Sequence, residues 1–160
     1  MRIARIGGAA PRRATGTDTR GFTLVELLTV IVVISILAAI AQPSLARAIT
    51  KAKAADAVAD LNVVKVAVFN FQADQDSWPE DQGRGRVPPD LEEFLPDGFS
   101  FQQPDYTLAY ENWSNNRNKA FDIGITLITD DEELGRSVLG MLGNSVWTDG
   151  STKYTWIIEG

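Results

Sequence analysis

The sequence predicts an α+β protein in which one long amino-terminal helix packs by its second half on a small antiparallel sheet. Three observations predict this fold. An apolar run fills residues 22–41, helical spacing of apolar residues continues to about residue 72, and short alternating stretches follow within residues 73–160. A helix followed by strands, without further alternation of the two, is typical of an α+β arrangement.

The apolar run is long enough to cross a membrane. Its polar members are Thr23, Glu26, Thr29 and Ser35. Twenty helical residues are about 30 Å long, which matches the hydrocarbon thickness of a bilayer. Residues 1–21 carry a net charge of +4 and the whole chain carries −6. The basic segment should stay cytoplasmic, so the acidic remainder is expected on the outer face of the membrane.

The helical pattern continues beyond the membrane over residues 42–72. Leu45, Ile49 and Ala52 share one face, and a second stripe contains Leu61, Val64, Val68 and Phe71. We expect this second stripe to pack on the sheet. Pro43 removes one backbone hydrogen bond and collides with the preceding turn, so the helix is expected to bend or open there.

The segment of residues 73–160 is predicted to be a globular α+β head. Proline and glycine make residues 73–90 rich in turns, and residues 90–95 could form one short helical turn. Alternating apolar residues predict strands near residues 106–110, 121–127 and 153–158.

A short second helix is predicted between the last two of these strands. Thr129 and Glu132 have the spacing of a capping box, and Gly143 follows Leu142 at the expected end.

The composition excludes several classes of function. The chain contains no cysteine and no histidine, which excludes disulfides, Cys/His zinc sites and triads built on histidine. The residues after the basic segment carry −10, which argues against binding nucleic acid, since that needs clustered lysine and arginine.

Three interpretations of the apolar segment are open at this point. It could be a secretory signal cleaved after Ala41, where Ala39-Ile40-Ala41 precedes Gln42, or an uncleaved anchor. It could also follow a leader that is cut before the apolar run. A glutamate inside the run and helical spacing beyond residue 41 weaken the signal interpretation.

The hexapeptide Gly21-Phe22-Thr23-Leu24-Val25-Glu26 resembles the signature of type IV pilins and of the pseudopilins of type II secretion. This resemblance implies that residues 1–21 are a prepilin leader, that a membrane peptidase cuts after Gly21, and that the same enzyme methylates the new amino terminus at Phe22. It also implies that Glu26, the fifth mature residue, helps assembly, and that Pro43 kinks the helix.

The resemblance further implies the partners and the location of the chain. The partners are the prepilin peptidase and methyltransferase, identical and minor subunits of a filament, an inner-membrane assembly platform and membrane lipid. The globular part would face the periplasm from a single-pass anchor in the bacterial inner membrane. The absence of cysteine favours a pseudopilus over a pilus, because many adhesive pilins close a loop with a disulfide.

The charge of Glu26 needs a partner on physical grounds that do not depend on the resemblance. An unpaired charge inside a membrane helix costs about 2.5–3.5 kcal/mol, and less near the interface. Cleavage after Gly21 would create a cation, the α-amine of Phe22, which is mostly protonated at neutral pH. Pairing of this amine with Glu26 of a neighbouring subunit would fix the register of the helices. The alternative is a glutamate that merely reaches the interface or becomes protonated.

Two other features have a functional and a simpler interpretation. Asp74 and Asp76 could bind calcium, as a loop of some major pseudopilins does, although the spacing is not that of an EF-hand and a solvated turn explains it as well. The four tryptophans could bind a polymer or could pack in the core or between subunits. They are Trp78, Trp113, Trp147 and Trp156. The polar stretch of residues 112–119 is predicted to be a surface hairpin tip that could touch a partner.

The sequence therefore predicts a structural filament subunit without enzyme activity or cofactor. The alternative is a secreted or membrane-anchored enzyme or binding domain that uses the apolar segment only for export.

Overall fold

The computed structural model describes residues 21–114 and 122–159. Helix α1 covers Leu24–Gln75 and is followed by a 3₁₀ helix at Pro89–Phe94. The remaining elements are strand β1 (Thr107–Asn112), strand β2 (Ile123–Ile128), helix α2 (Glu132–Leu142), a 3₁₀ turn (Gly143–Ser145), strand β3 (Val146–Thr148) and strand β4 (Lys153–Glu159).

The chain forms two compact units, Met1–Ile40 and Ala41–Gly160. The first unit, as far as it is described, is the start of α1. The second unit contains the sheet and the remainder of α1. The second half of helix α1 packs on the sheet, as predicted. The α+β class is confirmed. Helix α1 ends three residues beyond the predicted position at residue 72.

The sheet is antiparallel, with the strands in the order β1-β2-β4-β3. Leu108 of β1 lies opposite Leu127 of β2, and Leu127 lies opposite Tyr154 of β4. Cross-strand neighbours point to the same side of a sheet, so these residues form one row of the core. The predicted stripe on α1 supplies the other layer, since Leu61, Val64 and Val68 are fully buried and Phe71 is partly buried.

Polar contacts fix the loop before β1 to helix α1. The Tyr106 hydroxyl donates a hydrogen bond of 2.7 Å to Asp60, and Lys53 forms an ion pair with Asp105. Burial, and then the hydrogen bond to Asp60, raise the pKa of Tyr106 well above its usual range. The hydroxyl therefore stays protonated and remains a donor to Asp60.

The predicted capping box of α2 is wrong by two residues. Asp131 is the N-cap, and its carboxylate accepts hydrogen bonds from the backbone N–H groups of Glu133 and Leu134 at 2.9 and 3.0 Å. Thr129 is buried instead, and its hydroxyl donates to the backbone carbonyl of Asp105. The predicted end is confirmed, because Gly143 takes a φ of +71° that favours glycine.

Strand β3 was not predicted from the sequence. Its three residues are too few to show an alternation, and they pair with β4 through a tight turn. Asp149 holds this turn by accepting hydrogen bonds from the N–H groups of Ser151, Thr152 and Lys153 at 2.9–3.1 Å. These donors, Ser151 first, lower the pKa of Asp149 to about 2, so its charge supports the turn above that pH.

Gly135 of α2 is expected to tolerate no side chain. A Cβ at this position would overlap the ring of Tyr154, which is itself buried at 4% exposure. Overpacking a core costs about 1–3 kcal/mol, and the better helix propensity of alanine offsets less than about 1 kcal/mol of it. We therefore expect Gly135→Ala to lower the free energy of unfolding, measured by thermal melting of the detergent-purified protein.

Gly140→Ala is the matched control for this variant. Gly140 lies on the same helix with open space around its Cα, so alanine there should be neutral or stabilise by up to about 1 kcal/mol. Equal melting temperatures for the two variants would contradict the assigned packing of Gly135 on Tyr154.

Candidate functional site at the start of α1

The residues predicted to form the processing site lie just outside α1. Gly21 and Phe22 precede the helix, which begins at Leu24, and both are exposed. A Cβ on Gly21 would meet no atom within 4 Å, so packing within the described residues does not require glycine there. The other residues of the predicted leader, 1–20, lie outside the described residues.

Glu26 occupies the first turn of α1 and forms a capping box with Thr23. The backbone N–H of Thr23 and its hydroxyl each donate a hydrogen bond of 2.8 Å to Oε2 of Glu26. In return, the N–H of Glu26 donates to the Thr23 hydroxyl at 3.2 Å. The carboxylate thereby satisfies a free backbone donor at a helix end that also favours negative charge.

This capping box was not predicted from the sequence, although the sequence contains its signal. Thr23 and Glu26 have the T-x-x-E spacing that was used for Thr129 and Glu132. In the uncleaved chain, the nitrogen of Phe22 is an uncharged amide, and among the described residues Thr23 supplies the side-chain and backbone donors that hold Glu26. A carboxylate fixed in this way is ready to meet a cation that approaches the end of the helix.

The other polar groups of the apolar run bond within the helix. The hydroxyls of Thr29 and Ser35 donate to the backbone carbonyls four residues earlier, at 2.8 and 2.7 Å. This leaves Glu26 as the one ionisable side chain in residues 22–41. Its first-turn position is therefore the distinctive chemical feature of the segment.

The apolar side chains of this segment are exposed. Phe22, Leu24 and every large apolar residue up to Ile40 are between 49% and 81% exposed. Helix α1 is long enough and apolar enough to cross a membrane, with a mean hydropathy of 2.8 in its most apolar window. Pro43 lies inside α1, and the predicted bend at this residue stays a prediction.

The two candidate calcium ligands lie at the end of α1, with Asp74 in its last turn and Asp76 directly after it. Asp74 accepts a hydrogen bond from Gln75 at 2.7 Å, and Asp76 has a φ of +49° just beyond the helix. Within residues 21–114 and 122–159, no group of three or more acidic side chains is arranged to hold a metal ion. Calcium binding at Asp74 and Asp76 stays a prediction.

Two of the four tryptophans pack against the core. Trp78 contacts Phe69 edge to face, and the ammonium group of Lys65 lies 4.1 Å from the ring centre of Trp156. Trp147 remains 38% exposed. The predicted hairpin tip lies mostly outside the described residues, and before and after it strands β1 and β2 pair antiparallel, with Asn112 opposite Ile123.

Parts of the chain are similar to known protein families and to a known secretion-system protein. Residues 17–42 match the family described as the prokaryotic N-terminal methylation motif, and residues 48–116 match the family described as PilW, C-terminal. The chain is 28% identical to the type II secretion system core protein G of Dickeya chrysanthemi over 113 residues, which is 65% of this chain and 74% of that protein. No solved structure gives a significant match.

The fold is a pilin-like α+β arrangement, in which a long amino-terminal helix packs by its second half on a four-stranded antiparallel sheet. Together with the methylation motif, the PilW match and the similarity to core protein G, it supports a type IV pilin-like pseudopilin.

Proposed function

We propose that the chain is a structural subunit of a helical filament, a type II secretion pseudopilus or a type IV pilus, and that it is made as a precursor. A prepilin peptidase removes residues 1–21 by cutting after Gly21, and Phe22 becomes the methylated amino terminus. The observation that carries this proposal is the position of Glu26, a first-turn carboxylate directly after an exposed processing site and at the front of an exposed apolar helix.

The chemistry of assembly follows from this position. Cleavage converts the amide nitrogen of Phe22 into an amine that stays cationic after one methylation. The amine of an incoming subunit pairs with Glu26 of a subunit already in the filament. Since both charges lie among apolar helices, one stagger that pairs them is favoured over staggers that leave them unpaired.

The location and the partners follow from the same segment. The methylation motif and the apolar helix fit a membrane-anchored protein that faces the periplasm. We place the anchor in the bacterial inner membrane, with the peptidase, an assembly platform, identical subunits and minor subunits as partners. Similarity to a secretion-system core protein and the absence of cysteine favour the pseudopilus. The same similarity favours a structural role over an enzymatic one.

Intact mass and amino-terminal sequencing of the protein from its membrane test the proposal. We expect a chain that begins at methylated Phe22. A chain that begins at Gln42 would indicate soluble secretion, and a chain that keeps residues 1–21 in cells with an active peptidase would indicate a simple anchor. Either of these results would reject the proposed processing.

A further inference from the structure

An uncharged seam runs along the exposed side of α1 beyond the membrane segment. Its nine residues are separated by alternating steps of three and four, and all are exposed. They are Leu45, Ala48, Ala52, Ala55, Ala59, Asn62, Val66, Phe69 and Ala73. Steps of three and four are the spacing of the core positions of a coiled coil.

The seam lies opposite the face that packs on the sheet. Successive helical residues are about 100° apart, which places Ala55 and Ala59 away from the fully buried Ala57 and Leu61. Leu45, Val66 and Phe69 expose 61%, 58% and 42% of their surface. Exposed apolar surface that continues along a helix marks an interaction site.

We infer that the seam is a contact between two copies of this chain, with their helices parallel and in register, formed in the membrane before the filament grows. The inference rests on the proposed function, because membrane anchoring makes the two helices parallel. It adds a particular surface, the nine seam residues, and a particular stagger, which is zero.

The charges beside the seam favour this partner. Lys51 directly precedes a seam position and Asp56 directly follows one. In a parallel, in-register coiled coil, a charged residue that directly precedes a seam position faces the residue five positions later in the partner helix, which directly follows a seam position. Lys51 therefore faces Asp56 of the second copy, twice by symmetry. Both side chains are exposed, and neither forms an ion pair within the described part of the chain.

Asn62 favours zero stagger over other alignments. Its amide group donates a hydrogen bond to the carbonyl of Val58 at 2.9 Å, and its side-chain oxygen and second N–H have no partner among residues 21–114 and 122–159. In register, the two Asn62 side chains face each other and can complete these bonds. A shift of one heptad would place Asn62 against Ala55 or Phe69, and neither side chain can hydrogen-bond to it. A single polar core residue sets the register of coiled coils by this mechanism.

Single-cysteine variants test the contact directly, because the chain has no cysteine of its own. Ala48→Cys and Ala59→Cys place a thiol on the seam, and Ala46→Cys places one at nearly the same height on the opposite side of the helix. All three positions are exposed. A disulfide requires the two Cα atoms to be within about 7 Å, so identical positions cross-link only when the helices are in register.

The experiment uses membranes from cells that make the full chain and its peptidase but no assembly machinery. We expect mild oxidation to convert most of the Ala48→Cys and Ala59→Cys chains to disulfide-linked dimers, and at least about tenfold less of the Ala46→Cys chain, which reports random collision. Equal dimer yields at all three positions would overturn the inference. Preferential linkage of Ala48→Cys chains to Ala55→Cys chains would also overturn it, because it shows a stagger of one heptad.

A charge swap tests independently whether the partner at the seam is a second copy of this chain. In the Ala48→Cys background, Lys51→Glu should reduce the dimer yield about threefold to tenfold, and the additional change Asp56→Lys should restore it. An unchanged yield in Lys51→Glu would overturn the assignment of the edge pair. If the amino terminus is Phe22 but the seam does not cross-link, the proposed function stands and this inference fails. If the leader is retained, the proposed function fails.

Discussion

Replacing Gly21 with valine is expected to leave the chain uncleaved and to abolish filament formation. Peptide cleavage requires the scissile segment to enter a narrow active site, and a β-branched side chain restricts the backbone and adds bulk beside that bond. Gly21 lies outside α1 with open space around it, so the substitution should not disturb the fold. Intact mass of the membrane-bound chain and electron microscopy of filaments measure the two effects.

Loss of cleavage is also expected to prevent assembly. Without cleavage, no amine forms at Phe22, and Glu26 has no cation from a neighbouring subunit. Gly140→Ala serves as a glycine control on α2, and it should be cleaved and assembled normally. A Gly21→Val chain that begins at Phe22, or that forms normal filaments with its leader attached, would contradict the assigned processing site.

Replacing Glu26 with alanine is expected to reduce filament yield at least about 100-fold while insertion and cleavage continue. Insertion should become easier, since a charge in a membrane helix costs about 2.5–3.5 kcal/mol. Assembly should fail because the amine of the incoming subunit is left buried without its partner, and breaking a buried pair costs about 3–5 kcal/mol. Membrane fractionation, intact mass and quantified filament yield separate the three steps.

Two further variants separate charge pairing from helix capping. Glu26→Gln keeps an oxygen that can accept from Thr23 but removes the charge, so it should assemble as poorly as Glu26→Ala. Thr23→Ala removes the hydroxyl of the cap and its two hydrogen bonds, worth about 0.5–2 kcal/mol, but keeps the backbone donor and the charge of Glu26, so it should assemble far better than either. Normal filament yield from Glu26→Gln would assign Glu26 to capping and reject the pairing role.

The capping box explains how Glu26 behaves before assembly. An isolated carboxylate at the front of a membrane helix is unfavourable, but Oε2 of Glu26 accepts two hydrogen bonds from Thr23 and lies where the helix dipole favours an anion. In the proposed assembly, Thr23 is therefore the local partner of the charge until the amine of a neighbouring subunit replaces it.

The sequence by itself determined the features that depend on neighbouring residues. The apolar run of residues 22–41, the buried stripe at Leu61, Val64 and Val68, and three of the four strands follow from periodicity. The processing motif and the first-turn glutamate follow from the order of six residues. These features depend only on residues that are close together in the sequence, so they can be predicted without the fold.

Only the tertiary structure decided the features that depend on contacts between distant segments. Strand β3 is too short to show an alternating pattern. It forms because it can pair with β4, to which the turn at Asp149 connects it. Thr129 does not cap α2, because its hydroxyl donates a hydrogen bond to the carbonyl of Asp105. Asp131 caps the helix instead. The exposed seam on α1 also required the structure, because the sequence predicted the buried stripe of this helix but not that the seam residues stay exposed once the helix packs on the sheet.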